Sequence, residues 1–173
     1  AVEWLRARGS ARTFAWVHLF DPHEPYAPPA DYGRRFESAY DGEVAFSDEI
    51  VGRLLATLKA RDWYDRATIV ITSDHGEGLH RLAPLHGPIH GGREEIIRVP
   101  LVFHAPWAVP AGALVDAQVR TVDILPTLIE LAGLPARNEA LPLSGTSLAP
   151  LIRGEAESAV RPAFFAGHLN DDA

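Results

Sequence analysis

The sequence predicts an α/β fold in which a mostly parallel sheet is flanked by helices. Three runs are apolar on both faces, at residues 14–20, 67–73 and 100–104, as expected for strands covered by helices on both sides. Two stretches show helical spacing of their apolar residues, at 41–61 and 123–132. Because these elements alternate along the chain, a mostly parallel sheet with crossover helices is the fold class they favour.

The first predicted strand, 14–20, runs into a stiff loop at residues 21–29, which we call the proline loop. Four prolines in these nine residues exclude regular structure. His18 lies within the apolar strand, where we expect a buried histidine hydrogen-bonded to backbone. The loop should therefore leave the carboxyl edge of the sheet.

The two helices are each expected to bury one apolar face. The helix at 41–61 begins near Asp41, and the helix at 123–132 is expected to use Asp123 as its N-cap. The residues expected to be buried are Val44, Val51, Leu55 and Leu58 in the first helix and Val122, Leu125, Leu128 and Ile129 in the second.

Composition bounds the possible functions of the chain. Its 173 residues are 47% hydrophobic, which suits one domain, and no domain boundary or repeat is visible. A net charge of −7 disfavours nucleic acid as a partner, and no apolar run is long enough for a membrane span. Cysteine is absent, so disulfides and thiolate metal sites are excluded within these residues.

Polar residues that can bind a metal follow two of the predicted strands. One strand leads into Asp21 and His23, and another into Asp74 and His75, which stand beside two glycines. Ligand sites in α/β sheets lie at the carboxyl ends of strands. A carboxylate next to an imidazole offers an oxygen and a nitrogen to one divalent ion. The alternative for Asp74 is a plain turn closed by its own side chain.

Five blocks of sequence resemble the sulfatase branch of the alkaline phosphatase superfamily. They occur in the family's order between about residues 12 and 152, the most specific being TIVITSDHGE. The blocks are residues 16–26, 40–46, 68–77, 97–101 and 121–128. The resemblance implies an alkaline phosphatase-like fold and hydrolysis of a sulfuric ester, on a small-molecule or glycan substrate.

The resemblance also implies roles for individual residues. Asp74 and His75 match the pair that binds the catalytic divalent cation, which would be calcium, with manganese or zinc as alternatives. His23 matches a histidine that contacts the transferred group or its leaving oxygen. A further site residue matches His90, or His86 instead, because the pattern departs from the family there. We expect His23, Asp74 and His75 to converge on one pocket.

Two parts of the family's site have no counterpart in this sequence. The nucleophile motif, Cys or Ser followed by x-Pro-x-Arg, is absent, as are the aspartates that complete the metal site. We therefore expect residues 1–173 to be part of a catalytic domain whose full-length parent is the enzyme, and to be inactive alone. Alternatives are a phosphodiesterase, phosphonate monoesterase or phosphoglycerol transferase of the same superfamily, or a non-catalytic sulfatase-like protein.

Overall fold

The computed structural model describes residues 1–79, 93–135, 142–155 and 161–164. The chain divides into two units, Ala1–Asp65 and Arg66–Ala173. Each unit is described by itself below. In the part of the chain that the structure describes, no helix has the length and apolarity needed to cross a membrane.

The first unit is built around one long helix. Its helices are α1 (Val2–Ala7), α2 (Ala30–Gly33) and α3 (Ala39–Lys59), followed by a 3₁₀ turn at Tyr64–Arg66. Ser38 caps α3 by accepting a hydrogen bond from the N–H of Asp41, at 3.3 Å. The predicted helix at 41–61 is therefore confirmed to within two residues at each end.

The buried face of α3 differs from the apolar face predicted for it. Val44 is 41% exposed, whereas Glu43 is only 2% exposed and Gly42 and Thr57 are buried. The expectation that Val44 is buried was wrong. The physical reason is that Glu43 accepts a hydrogen bond from backbone outside the helix, and this turns a polar position inward.

Residues 14–20 do not form the predicted strand. The structure gives them no strand pairing within its described residues, and Phe14, Trp16 and Phe20 are exposed. A run of apolar residues indicates that its side chains favour burial, but a strand also requires backbone hydrogen bonds to an adjacent strand. The prediction of a strand at 14–20 was therefore wrong for this structure.

The second unit contains the two described strands. Its elements are β1 (Ile69–Thr72), α4 (Glu94–Ile97), β2 (Leu101–His104), a 3₁₀ turn at Thr121–Asp123, α5 (Ile124–Leu131) and α6 (Ala149–Ile152). The strands lie within the predicted ranges 67–73 and 100–104, and α5 lies within 123–132. These positions confirm the sequence prediction.

The pairing of the two strands is antiparallel. Ile69 faces His104 and Thr72 faces Leu101 in the register. The mostly parallel sheet predicted above is therefore not found among the described strands. Apolar residues on both faces indicate that a strand is covered, and they carry no information on the direction of its neighbour.

A buried carboxylate organises the start of α5. Asp123 is fully buried, and its carboxylate accepts hydrogen bonds from the guanidinium of Arg120 at 2.8 Å and the N–H of Thr146 at 2.9 Å. The guanidinium of Arg161 lies 3.6 Å away. Asp123 is the N-cap residue of α5, as predicted, but its side chain makes no capping hydrogen bond to that helix. Its carboxylate instead accepts from the N–H of Arg120, at 3.1 Å, and so caps the 3₁₀ turn.

The buried face of α5 is also more polar than its sequence suggested. Thr127 is fully buried, whereas Val122 and Leu125 are exposed, against the prediction. The Thr127 hydroxyl donates to the carbonyl of Asp123 at 2.6 Å and accepts from the N–H of Leu148 at 2.8 Å. Thr127 thus links α5 to the segment that leads into α6.

We expect the stability of the protein to depend on pH through Asp123. Burial alone would raise the pKa of Asp123, but the bonds from Arg120 and Thr146 outweigh it and lower that pKa. The stabilisation is therefore complete above the ordinary carboxyl pKa of about 4 and is lost as pH falls toward the lowered value. In urea unfolding, Asp123→Asn should lower the free energy of unfolding by about 3 kcal/mol at pH 7.

The matched control is Asp48→Asn, an exposed aspartate on α3, which should change the free energy of unfolding little at any pH. The difference between wild type and Asp123→Asn should shrink as the pH falls from about 5 to about 3. A difference that stayed constant over this interval would contradict the assignment.

We also expect residues 14–20 to promote self-association of the isolated 173-residue chain. Trp16 is 82% exposed beside the exposed Phe14, and contiguous apolar surface favours association. Light scattering should show less association for Trp16→Ser than for Trp107→Ser, a change at an exposed tryptophan of the second unit. Equal association of the two variants would argue against a special role for residues 14–20.

Candidate active site

The segment after β1 is shaped by short-range hydrogen bonds. The N–H of His75 donates to Asp74 Oδ1 at 3.0 Å, and the hydroxyl of Ser73 donates to the carbonyl of His75 at 2.6 Å. The Asx turn considered above as the alternative to a metal ligand needs a bond to the N–H two residues on, whereas this bond reaches only the next residue. The bond uses Oδ1, and the side chain of Asp74 is 78% exposed.

The hydrogen bond of the His75 ring defines its tautomer. Nδ1 of His75 lies 2.8 Å from the carbonyl oxygen of Gly76. Because a carbonyl oxygen can only accept, Nδ1 carries the proton, and Nε2 carries the lone pair in the neutral ring. Metal-binding histidines generally donate their other ring N–H to a carbonyl or carboxylate in this way.

One atom of Asp74 lies close to one atom of the His75 ring. Oδ2 of Asp74 lies 3.8 Å from Nε2 of His75. Bonds from a divalent ion to oxygen or nitrogen are about 2.0 to 2.6 Å long, so two atoms separated in this way can bind one ion. The two neighbouring side chains can therefore act as a pair of ligands.

The electrostatics of the segment keep Asp74 ionised. Desolvation would raise the pKa of Asp74, but the hydrogen bond from the N–H of His75 and the nearby imidazole outweigh it, and the pKa is lowered. A carboxylate has to be deprotonated to bind a metal. Asp74 therefore meets this requirement at neutral pH.

A close approach between Gly76 and α4 holds this segment in place. The N–H of Gly76 donates to the carbonyl of Ile96 at 2.7 Å. A Cβ at Gly76 would lie only 1.9 Å from the carbonyl oxygen of Glu95, so only glycine fits there. The sequence indicated that glycine permits a close approach, and the structure shows that the neighbour is the backbone of α4.

His23 lies in the proline loop of the first unit. Its Nδ1 lies 2.6 Å from the carbonyl oxygen of Glu24, so Nδ1 donates and Nε2 carries the lone pair of the neutral ring. The ring stacks on Phe20 with 4.6 Å between the ring centroids. The orientation of the His23 ring is thus determined by the carbonyl of Glu24 and by Phe20, the residue that precedes the proline loop.

His18 does not occupy the buried position predicted for it. It is exposed, and its ring meets Phe20 edge-on with 6.2 Å between centroids. The prediction of a core histidine failed because it depended on a covered strand at 14–20. His18 belongs to an aromatic surface in this structure.

The predicted site residues fall in different parts of the structure. Asp74 and His75 are adjacent in the second unit, whereas His23 is in the first, so their convergence on one pocket stays a prediction. His86 and His90 lie outside the described residues. Within the ranges described, no group of three or more histidine, aspartate or glutamate side chains could hold a metal ion.

Sequence reasoning missed how α3 holds the proline loop. In the sequence Glu43 falls in the first turn of the predicted helix at 41–61 without an assigned role, yet its Oε1 accepts from the N–H of Ala27 at 2.6 Å. The hydroxyl of Ser47 donates to the carbonyl of Asp21 at 2.8 Å. The available signal was the spacing of Glu43 and Ser47, which places both on one side of a helix.

Comparison with known proteins identifies the family. The family model described as Sulfatase matches residues 1–134. Steryl-sulfatase of Mus musculus is 30% identical over 163 residues, covering 88% of this chain and 26% of that protein.

Two solved structures are similar in fold. The phosphonate monoester hydrolase of Silicibacter pomeroyi is 33% identical with a TM-score of 0.60, over 71% of this chain and 23% of that chain. A protein solved in complex with its substrate D-glucosamine-2-N,6-O-disulfate is 28% identical with a TM-score of 0.62, over 78% of this chain and 27% of that chain.

The matches cover most of this chain but only part of each relative. The chain spans about a quarter of the length of the curated relatives it matches. The family model nevertheless covers most of the chain, including β1, the segment that carries Asp74 and His75, and the proline loop with His23. The chain therefore belongs to the sulfatase family.

Proposed function

We propose that this chain contributes part of the metal and anion site of a sulfuric ester hydrolase. The observation that carries the proposal is the pairing of Asp74 Oδ2 with His75 Nε2 at 3.8 Å, next to an Nδ1–H that is already bonded to the Gly76 carbonyl. In this arrangement both side chains would offer a lone pair to one ion. The substrates would be sulfate esters of small molecules or glycans, as a similar structure with a bound glucosamine disulfate suggests.

Asp74 and His75 fit a divalent metal ion by their donor chemistry. The resemblance to sulfatases implies such an ion, which when bound would supply Lewis-acid polarisation of the ester oxygen. The resemblance favours calcium, whereas the imidazole nitrogen of His75 suits zinc and the carboxylate of Asp74 suits calcium or manganese. Asp74 and His75 would form one side of the coordination sphere, and the other ligands would come from outside the described residues.

We assign His23 to the anion or the leaving oxygen. Because Nδ1 donates to the carbonyl of Glu24, Nε2 is the ring atom with which His23 would meet the substrate. Nε2 donates a hydrogen bond only when the ring is protonated, and in that state it would stabilise negative charge on the leaving oxygen. Stacking on Phe20 limits rotation of the ring and supports this role.

A phosphonate or phosphate ester hydrolase is the second candidate. The similarity to the phosphonate monoester hydrolase of Silicibacter pomeroyi is as close in fold as that to the protein holding the sulfated sugar. A metal that polarises an ester oxygen serves both reactions. Assays of the complete protein on an aryl sulfate, an aryl phosphonate monoester and an aryl phosphodiester separate the candidates, and we expect the sulfate to be the best substrate by kcat/KM.

We expect Asp74→Ala and His75→Ala to lower kcat/KM of the complete protein for its ester substrate by at least about 100-fold. Each change removes one ligand, so metal content after dialysis should fall with the rate. Excess divalent ion should restore part of the activity by mass action on the weakened site.

The control for these variants is Asp48→Ala, which removes an exposed carboxylate from α3. It should leave both the rate and the metal content unchanged. Wild-type metal content and rate in Asp74→Ala would show that the ion is bound elsewhere.

His23→Ala should lower kcat while metal content stays at the wild-type level, because the proposed partner of His23 is the substrate. His23→Gln should retain more activity than His23→Asn, because a glutamine amide reaches the position of Nε2 and an asparagine amide reaches that of Nδ1. His18→Ala, at an exposed histidine of the same segment, should change kcat much less. Equal losses in the Gln and Asn variants would contradict a role for Nε2.

A further inference from the structure

We propose that α3 positions His23 for the reaction through Gly42, Glu43 and Ser47. The inference rests on the proposed function of His23 and adds the residues that would hold it. The proline loop contacts α3 at Asp21, Ala27 and Pro28, and His23 lies between the first two of these in the chain. The backbone on both sides of His23 is therefore tied to one rigid helix.

Of the three residues, Glu43 is the one whose contact requires burial of a carboxylate, which is unfavourable in free energy. Its side chain is 2% exposed, Oε1 accepts from the N–H of Ala27 at 2.6 Å, and Oε2 is buried with no hydrogen-bond partner among the described residues. Burying a carboxylate is unfavourable unless it is well paired. Among the described contacts, the carboxylate of Glu43 is stabilised by one short hydrogen bond from the loop. A hydrogen bond to an ionised acceptor is stronger than one between neutral groups.

Ser47 holds the other end of the same segment. It lies one helical turn after Glu43, and its hydroxyl donates to the carbonyl of Asp21 at 2.8 Å. Residues four apart on a helix point to the same side. Glu43 and Ser47 therefore act together on the segment that contains His23, one on a backbone N–H and the other on a backbone carbonyl.

Gly42 lets the loop approach the helix closely. A Cβ at this position would lie 3.0 Å from Cγ and 3.1 Å from Cβ of Pro28. Glycine within a helix costs about 1 kcal/mol relative to alanine, so its presence here is explained by the packing of Pro28. A Cβ at position 42 would require Pro28 to shift by a few tenths of an ångström.

These contacts could stabilise the fold without affecting the reaction, and the two roles make different predictions. If Glu43 acts through His23, removing Glu43 should matter only while His23 is present. A positioning error of about 1 Å is enough to cost about 100-fold in rate. A purely structural contact would lower the unfolding temperature and leave kcat per folded molecule unchanged.

The test uses Glu43→Ala, Glu43→Gln and Ser47→Ala in the complete protein, each with and without His23→Ala. We expect Glu43→Ala to lower kcat by about 10-fold or more with unchanged metal content, and Ser47→Ala to lower it less. Glu43→Gln keeps an oxygen for the N–H of Ala27 and should recover most of the rate. In the His23→Ala background, neither Glu43→Ala nor Ser47→Ala should cause a further loss.

Asp48→Ala is the matched control, because it removes an exposed acid from the same helix. If Glu43→Ala does not fold, Ser47→Ala, whose hydrogen bond is exposed, still tests the proposal. Unchanged kcat in Ser47→Ala and Glu43→Ala, or equal losses with and without His23, would overturn the positioning role. Unchanged kcat in His23→Ala itself would instead overturn the function assigned to His23.

Discussion

Irregular backbone has to find hydrogen-bond partners, and in this protein buried polar side chains on two helices provide them. Glu43, Asp123 and Thr127 are the largest fully buried side chains among the described residues, and each one bonds to backbone outside its own helix or turn. Glu43 bonds to the proline loop, and Asp123 and Thr127 bond to the segment before α6. An unpaired N–H in these segments would cost about as much as a lost hydrogen bond.

This constraint connects the fold to the candidate chemistry. The proline loop carries His23, and its prolines leave few donors with which it could bond to itself. Its conformation therefore depends on α3. The segment with Asp74 and His75 solves the same problem differently, through local bonds among Ser73, Asp74 and His75 and through the contact of Gly76 with α4.

The same constraint explains where apolar patterns misled. The spacing of Val44, Val51, Leu55 and Leu58 predicted an inward apolar face for α3, but a loop that needs a hydrogen-bond acceptor brought Glu43 inward and left Val44 exposed. In α5 and the 3₁₀ turn before it, Asp123 and Thr127 are buried while Val122 and Leu125 are exposed. Periodicity reports the spacing of apolar residues along one helix. It carries no information on which backbone groups of a distant segment require hydrogen-bond partners from that helix.

The sequence by itself determined where α3, α5 and the two described strands lie, because capping residues, apolar runs and prolines act over a few neighbouring positions. It also determined the local pair of Asp74 and His75 and the membership of the sulfatase family, since both depend on residues that are close in the chain. Tertiary structure alone decided the antiparallel pairing of Ile69–Thr72 with Leu101–His104, the exposure of residues 14–20 and the inward side of α3. Each of these depends on which distant segment lies alongside, and that is settled by hydrogen bonds and packing between residues far apart in the sequence.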